Sequence, residues 1–264
     1  MANDKDVERI RYDERARKLL LNSEGISSPS PYGVALEYEA PYHYYKEKIS
    51  ANLDPNHFVL EIGAGTGTFT GFILASGARL CALDISAACL DVLELRFQGQ
   101  GRFEIRVADM EVLPFADELF DVVTCAGSLS YGDNTLVMEE IHRVLKPGGV
   151  FICVDSLDHN LIYRLNRWIH YLTGNRTFST LQRMPTISLI ERYGRRFGSV
   201  EVRYFGMVSW LMPVIVFLFG GKFASRLSDW VDGVFGVHKS AFKFVMVATR
   251  VRNESPEKSH LDGT

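Results

Sequence analysis

VLEIGAGTGTFTGFI, residues Val59 to Ile73, is the stretch of sequence that decides the fold. An apolar run leads to Glu61, the glycines Gly63, Gly65 and Gly67 follow in alternation, and a helical pattern then begins. This order predicts a strand, a tight glycine turn and the start of a helix. Because glycine has no side chain, such a turn lets a ligand lie against the backbone at the end of a parallel sheet.

A dinucleotide is the first ligand to consider for this turn. Its fingerprint is G-x-G-x-x-G, but Thr68 stands where the third glycine should be and Gly67 comes one position early. Glu61, two residues before the first glycine, would oppose a pyrophosphate and suits a ligand with an ammonium group or a cationic centre. The turn alone is also compatible with a purely structural role. The landmarks further along the chain decide whether it binds a ligand.

The second landmark is the run Arg79 to Asp84, which predicts a strand ending in an acid. Asp84 lies about 20 residues past the glycines, where a carboxylate can accept hydrogen bonds from both ribose hydroxyls. An aspartate here could instead cap the next helix, although Ser86 could take that role. Ile85 is then placed to pack on an adenine ring.

Three further strands carry the remaining landmarks. One ends at Asp109, one opens into the small residues Ala126 and Gly127, and one follows a helix that stops at Lys146-Pro-Gly-Gly149. The predicted strands are Phe103–Asp109, a buried strand that opens into small residues within Phe120–Tyr131, and Val150–Val154.

The five landmarks together resemble class I S-adenosylmethionine (SAM) methyltransferases of the UbiE/methyltransferase-11 type, for which the run RVLKPGG before the fifth strand is a strong mark. The resemblance implies a Rossmann-like α/β fold. Its seven-stranded sheet is mostly parallel with an antiparallel last strand, and helices cover both faces. It also implies methyltransferase activity, with SAM as cofactor and S-adenosylhomocysteine as product.

The resemblance also assigns the cofactor-binding residues. Asp109 would read the adenine amino group, the backbone of Met110 would read the ring, and Ala126 and Gly127 would lie beside the methionine part. The complete implied set is Glu61, Gly63, Ala64, Gly65, Thr66, Gly67, Asp84, Ile85, Asp109, Met110, Ala126 and Gly127.

Composition agrees with one α/β domain with additions. The 264 residues are 47% hydrophobic and 23% charged, as in an ordinary globular protein. A net charge of −3 gives no pull toward nucleic acid. The four cysteines show no metal-ligand spacing, three of them fall inside predicted strands and are expected in the core, and no metal site is expected. The charged start of the chain does not resemble a signal peptide, which favours a cytoplasmic location.

We expect three parts in the chain. Residues 1–56 form a helical lid, with a charged helix from Asp4 to Leu21, a loop over 23–33 and a second helix ending near Asn52. Residues 57–251 form the SAM-binding domain with inserts at 156–184 and 207–238, and residues 252–264 form a disordered tail. The aromatic residues Tyr42, Tyr44 and Tyr45 either line the lid or pack on the sheet.

The first insert is basic, since arginines far outnumber acids between Leu157 and Arg203. Arg164 and Arg167 are three residues apart and are expected on one helix face, where a guanidinium pair suits an acceptor phosphate or carboxylate. Tyr42 is a further candidate for acceptor binding. A solvated basic face or the rim of an oligomer contact are the alternatives.

The second insert is apolar, and Tyr204 to Gly221 carries no charged residue. This length is at the lower limit for a membrane span. Gly206, Ser209 and Pro213 interrupt it, and a predicted strand at Ala241–Val251 returns the chain to the sheet. The segment is therefore expected to pack in the core, wall the pocket, form a homodimer contact or touch a membrane surface through 207–221.

Methyl transfer is an in-line displacement that depends chiefly on alignment. Candidate bases just past the strand ends are His159 and Tyr131, with Asp155 orienting either, although a loop histidine can be a bystander. The chain after Asp155 resembles enzymes of glycan and surface-polysaccharide biosynthesis, which implies a sugar hydroxyl or amine on a nucleotide or lipid carrier. The alternatives are a quinone, polyketide or other small-molecule acceptor, or a SAM-binding interaction protein without catalysis.

Overall fold

A computed structural model of the chain describes residues 4–21, 39–100, 102–173, 177–207, 211–234 and 240–252. The predicted loop at 23–33 and all but the first residue of the predicted tail lie outside the described residues.

A seven-stranded sheet forms the centre of the molecule, in the order β3-β2-β1-β4-β5-β7-β6. Neighbouring strands are parallel except that β7 runs antiparallel to both β5 and β6. This confirms the predicted Rossmann-like sheet with its antiparallel last strand. The strands are β1 Phe58–Ile62, β2 Arg79–Asp84, β3 Phe103–Val107, β4 Phe120–Ala126, β5 Leu145–Ser156, β6 Gly198–Phe205 and β7 Lys243–Arg250.

The central strands are buried on both faces, which explains why β1 and β4 read as continuous apolar runs rather than alternating ones. The cysteines follow the same logic. Cys81, Cys125 and Cys153 lie within β2, β4 and β5, and all four cysteines are buried and free. The predicted place of the three strand cysteines in the core is confirmed.

Ten helices are described around this sheet. Side-chain caps start three of them: Ser86 accepts from the Cys89 amide at α4, Asp133 caps α5 and Thr186 caps α8. The helices are α1 Asp4–Leu21, α2 Ala40–Asn52, α3 Thr70–Leu74, α4 Ala87–Arg96, α5 Asn134–Val144, α6 Leu161–Leu172, α7 Phe178–Gln182, α8 Ile187–Phe197, α9 Met212–Phe219 and α10 Gly221–Val234.

Some strand boundaries differ from the sequence prediction: β3 ends at Val107 rather than Asp109, and β5 is longer than predicted at both ends. β5 begins at Leu145 rather than Val150, because the chain after α5 is extended at once and Leu145 already pairs with Phe120. The register of β4 and β5 then shifts between Phe120 and Val122, which accommodates the Pro-Gly-Gly segment as an irregularity within the strand.

Both inserts leave the same edge of the sheet. β1, β4, β5 and β6 all point the same way, so the chain emerges from β5 and from β6 at the edge where β1 ends. The first insert supplies α6 and α7, and the second supplies α9 and α10. Among the described residues, no helix combines the length and the apolar character needed to cross a bilayer.

Candidate functional site

The glycine turn after β1 lies at this edge and exposes its backbone. Gly63 and Gly65 have φ of 66° and 54°, a backbone conformation that residues with a side chain rarely adopt. A Cβ added at Gly63 would collide with the Ser128 side chain, whereas one at Gly65 would meet nothing within 4 Å. The turn therefore packs tightly on one side and stays open at Gly65, where a ligand can approach the backbone.

Asp84 is fixed beside this turn by backbone donors. One carboxylate oxygen accepts from the Gly65 amide at 2.9 Å and the other from the Ser86 amide at 2.9 Å. Burial raises the pKa of Asp84, and these amide bonds oppose part of that rise. A carboxylate has about four acceptor positions, so Asp84 keeps capacity for ribose hydroxyls. Ser86, and not Asp84, caps the following helix α4.

Glu61 is a buried carboxylate next to the same turn. It accepts a 2.6 Å hydrogen bond from the Thr70 hydroxyl. Burial raises its pKa from 4.5 to about 7, the Thr70 bond lowers it and the neighbouring Asp84 raises it. Such a group suits a cationic ligand, whose charge would favour the ionised form. Sequence reasoning missed Thr70, although a hydroxyl at the first position of the helix after the turn is visible in the sequence.

Asp109 is held from outside the sheet by the first helix. Lys5 on α1 lies 2.6 Å from the Asp109 carboxylate and 2.6 Å from that of Glu111. Asp109 also accepts from the Glu111 amide at 3.0 Å. The N-terminal helix thus contacts the strand-end residue that the resemblance assigned to adenine.

The end of β4 is positioned by Asp155, the last but one residue of β5. Asp155 is buried and accepts from the amides of Leu129 and Ser156 at 3.0 Å and 2.6 Å. It thereby holds the short 3-10 turn Leu129–Tyr131. Tyr131 in turn shares a 2.8 Å hydrogen bond with the hydroxyl of Tyr12 on α1. Asp155 therefore positions Tyr131 through this turn and does not itself line the cavity between α1 and the strand ends.

A cavity of about 410 Å³ lies between α1 and the strand ends. It is lined by every predicted cofactor residue except Gly67, and by Tyr42 and Tyr131. The lining residues from the predicted cofactor set are Glu61, Gly63, Ala64, Gly65, Thr66, Asp84, Ile85, Asp109, Met110, Ala126 and Gly127. Gly67 packs elsewhere, since a Cβ there would lie 2.7 Å from the Phe97 ring.

Sequence reasoning predicted a lid over residues 1–56 but did not identify the residues of α1 that line the cavity. Lys5, Glu8, Arg9, Tyr12 and Arg15 all line the cavity. Their spacing places them along one side of a helix, and this 3.6-residue periodicity is the signal that could have identified them.

Besides Gly67 and Asp155, three further predicted site residues do not line the cavity. His159 accepts from the Ile187 amide at 3.0 Å and so satisfies the start of α8. Arg167 is buried and donates to the Leu157 carbonyl at 3.2 Å and to Asp158 at 3.1 Å. Arg164 is exposed and lies 3.8 Å from the same Asp158. Both guanidinium groups thus converge on one aspartate of the insert, and none of the three residues lines the cavity.

The three tyrosines of α2 divide between the two roles expected of them. Tyr42 lines the cavity, stacks on Phe69 and has the Lys243 ammonium 5.1 Å from its ring centre. Tyr45 is buried against Phe69 in the core, and Tyr44 donates to Glu201 at 2.8 Å. Within the part of the chain that the structure describes, no cluster of His, Cys, Asp or Glu could hold a metal ion.

The fold and this cavity define a class. A sheet of this order, with an antiparallel β7, a glycine turn after β1 and carboxylates at the ends of the next strands, is the class I methyltransferase fold. The open backbone at Gly65, the spare acceptor capacity of Asp84 and the buried Glu61 fit a ribose-containing, positively charged cofactor.

Comparison with known proteins makes the identification more particular. Residues 60–153 match the methyltransferase-11 family model, described as a methyltransferase domain. A demethylmenaquinone methyltransferase of Clavibacter sepedonicus is 42% identical over 101 residues, which are 36% of this chain and 40% of that protein. A sterol 4-C-methyltransferase (strm-1) of Caenorhabditis elegans is 32% identical over 188 residues, 62% of this chain and 56% of that protein. The chain spans roughly half the length of these curated relatives, or less.

Solved structures share the fold. Geranyl diphosphate C-methyltransferase of Streptomyces coelicolor A3(2), in complex with Mg²⁺, geranyl diphosphate and S-adenosylhomocysteine, matches with a TM-score of 0.54 at 18% identity, covering 80% of this chain and 79% of that one. The matched segment, residues 60–153, is thus a methyltransferase domain with the class I fold.

Proposed function

We propose that this protein transfers the methyl group of SAM to a small-molecule acceptor held in the cavity beneath α1. The observation that carries the proposal is the cavity itself. It joins the glycine turn and the strand-end carboxylates to a group of tyrosines, Tyr12, Tyr42 and Tyr131, under one helix.

The residues that we propose for the cofactor act by charge and shape. Glu61 faces the cationic part, Asp84 accepts from the ribose hydroxyls, and the open backbone at Gly65 lets the cofactor lie close to the turn. In methyl transfer the acceptor's electron pair forms a bond to the methyl carbon while the carbon–sulfur bond breaks, and S-adenosylhomocysteine leaves. The chain's task is to align these three atoms.

For the acceptor end, we propose Tyr131 as the group that orients the reacting atom. It follows Ala126 and Gly127 along the chain, lines the cavity and bonds to Tyr12. Its placement depends on Asp155, which holds the turn Leu129–Tyr131 through the Leu129 amide. His159 bonds to the start of α8, which makes it the weaker candidate for a base.

For the acceptor class, we propose an apolar or aromatic small molecule in preference to a sugar on a phosphate carrier. Arg164 and Arg167, the residues that supported a carrier phosphate, pair with Asp158 away from the cavity. The relatives reported above are named for a quinone precursor and a sterol. The sugar acceptor stays a prediction.

The proposal is tested first by binding. Calorimetric titration with S-adenosylhomocysteine should show tight binding that Asp84→Ala weakens by about tenfold to a hundredfold, since hydrogen bonds to a charged group are lost. Thr186→Ala, which removes the side-chain cap of α8 and does not touch the lining of the cavity, is the matched control. It should cost about 1 kcal/mol of stability and leave binding unchanged.

Turnover is tested next. S-adenosylhomocysteine release is followed with a panel of hydroquinones, sterols and nucleotide sugars. Tyr131→Phe should lower kcat with cofactor affinity intact, whereas His159→Gln should leave kcat near the wild-type value. Tight cofactor binding without turnover on any acceptor would instead favour the non-catalytic, SAM-binding alternative, and turnover on nucleotide sugars alone would reverse the acceptor class.

A further inference from the structure

Helix α6 exposes apolar side chains that a surface helix would normally bury. Leu165, Trp168, Ile169 and Leu172 occupy one side of it and are exposed, with Leu172 75% accessible. Arg167, by contrast, is only 7% accessible and bonds to the backbone beneath. A surface helix normally turns its apolar face to the core. Here the large apolar side chains face outward and a charged one faces inward.

The second insert shows the same arrangement. In α10 the small residues Ala224 and Ser228 are buried, while Phe223 and Trp230 are exposed. In α9 Met212 is buried, but Phe217 is 88% accessible. Helices α9 and α10 pack on each other, and α6 packs on α7. The exposed apolar side chains of α6, α9 and α10 are together named the apolar insert surface: Leu165, Trp168, Ile169, Leu172, Val214, Phe217, Leu218, Phe219, Phe223, Trp230 and Val234.

Basic residues outnumber acids among the exposed charges beside the apolar insert surface. The exposed basic residues are Arg164 on α6 and Lys222 and Arg226 on α10, and α6 and α9 contain no acid. Of the two acids of α10, Asp229 is exposed and Asp232 is half-buried. Asp232 accepts from the amides of Gly206 and Met207 at 2.6 Å and 3.0 Å. Burial raises the pKa of Asp229, and the nearby Arg203 opposes part of that rise.

We propose that the apolar insert surface docks on an anionic lipid bilayer. Exposed Phe, Leu and Trp side chains flanked by basic groups can enter the boundary between headgroups and acyl chains, while the basic groups meet anionic headgroups. A second copy fits less well, because a twofold interface would bring the same basic rim of each copy together. Both inserts leave the sheet at the edge that bears the cavity, so docking brings this edge to the membrane.

Flotation with lipid vesicles tests this proposal without any turnover. The full chain is mixed with vesicles of phosphatidylcholine and phosphatidylglycerol, and in parallel with pure phosphatidylcholine vesicles. Wild-type protein should float with the anionic vesicles and be released by added salt. The double variants Phe217→Gln/Phe219→Gln and Leu165→Gln/Leu172→Gln should each lower partitioning by at least about tenfold. Lys222→Glu/Arg226→Glu should abolish the preference for anionic vesicles.

Leu95→Gln is the matched control, since Leu95 is also an exposed leucine but lies on α4, outside both inserts. It should float like the wild type. Each variant is first shown to bind S-adenosylhomocysteine, which establishes that it folds and separates this test from that of the proposed activity. Three outcomes would overturn the proposal: no flotation with either vesicle, equal flotation of all variants, or a wild-type dimer in sedimentation velocity that the two apolar double variants dissociate.

Discussion

At the scale of single residues, Glu61 couples cofactor binding to pH. Its pKa of about 7 results mainly from burial, so the carboxyl is partly protonated near neutrality. A positively charged cofactor favours the ionised form, so binding releases a proton below this pKa, and affinity should rise between about pH 6 and about pH 8. Calorimetry in two buffers of different ionisation enthalpy would measure the released proton.

Glu61→Gln is the variant that checks this reasoning. It should bind the cofactor more weakly and with a flatter pH dependence, and the proton release should disappear. The raised pKa also means that Glu61 stabilises the cofactor-free protein below about pH 4.5 and that this contribution is lost as the pH rises through about 7. An unchanged slope of affinity against pH in Glu61→Gln would show that another group titrates.

Gly67 lies in the same turn as Gly65, but its role is packing within the fold and not contact with the ligand. It has φ of 90°, and a Cβ there would lie 2.7 Å from the Phe97 ring. Gly67→Ala should therefore lower the free energy of unfolding by about 2 kcal/mol or more in urea denaturation. Gly99→Ala, with a φ of 86° but nothing within 4 Å of its Cβ, should cost only the backbone strain of about 1 kcal/mol. Equal losses would mean that the Phe97 contact is unimportant.

At the scale of elements, α1 is held over the cavity by polar contacts at its first turns. Glu8 is buried and accepts from the amide and hydroxyl of Thr177 at 3.2 Å and 3.0 Å, and from the Thr180 hydroxyl at 3.2 Å. Further along, Ala16 packs on Cys89 and Val92 of α4. The first half of α1 thus depends on hydrogen bonds and the second half on apolar contact.

Glu8→Ala should loosen the first half of α1 without unfolding the sheet. We expect faster exchange of the α1 amide hydrogens and a dissociation rate of S-adenosylhomocysteine raised by about tenfold, the equivalent of about 1.4 kcal/mol. Glu14→Ala, an exposed acid on the same helix, is the matched control. If both variants release the ligand at the wild-type rate, then α1 does not control access to the cavity.

At the scale of the whole molecule, the parts predictable from sequence are those fixed by local pattern. The glycine turn, the strand-end acids and the helix Asp4–Leu21 each follow from neighbouring residues, and the structure has them where the pattern indicates. What could not be predicted depends on distant contacts. Lys5 meets Asp109 more than a hundred positions away in sequence, and a strand-end position gives no direction for the His159 side chain, which turns to Ile187.

The four buried thiols offer a chemical measure of how the molecule opens. Burial raises the pKa of Cys81 to about 12 and that of Cys89 to about 11, so neither forms a reactive thiolate at neutral pH in the folded chain. Cys89 lies under α1, with its sulfur 3.8 Å from the Tyr12 carbonyl, whereas the other three lie in strands. Alkylation should therefore modify Cys89 first, when α1 lifts, and Cys81, Cys125 and Cys153 together, only when the sheet unfolds. The order of mass additions would then separate local opening from global unfolding in one experiment.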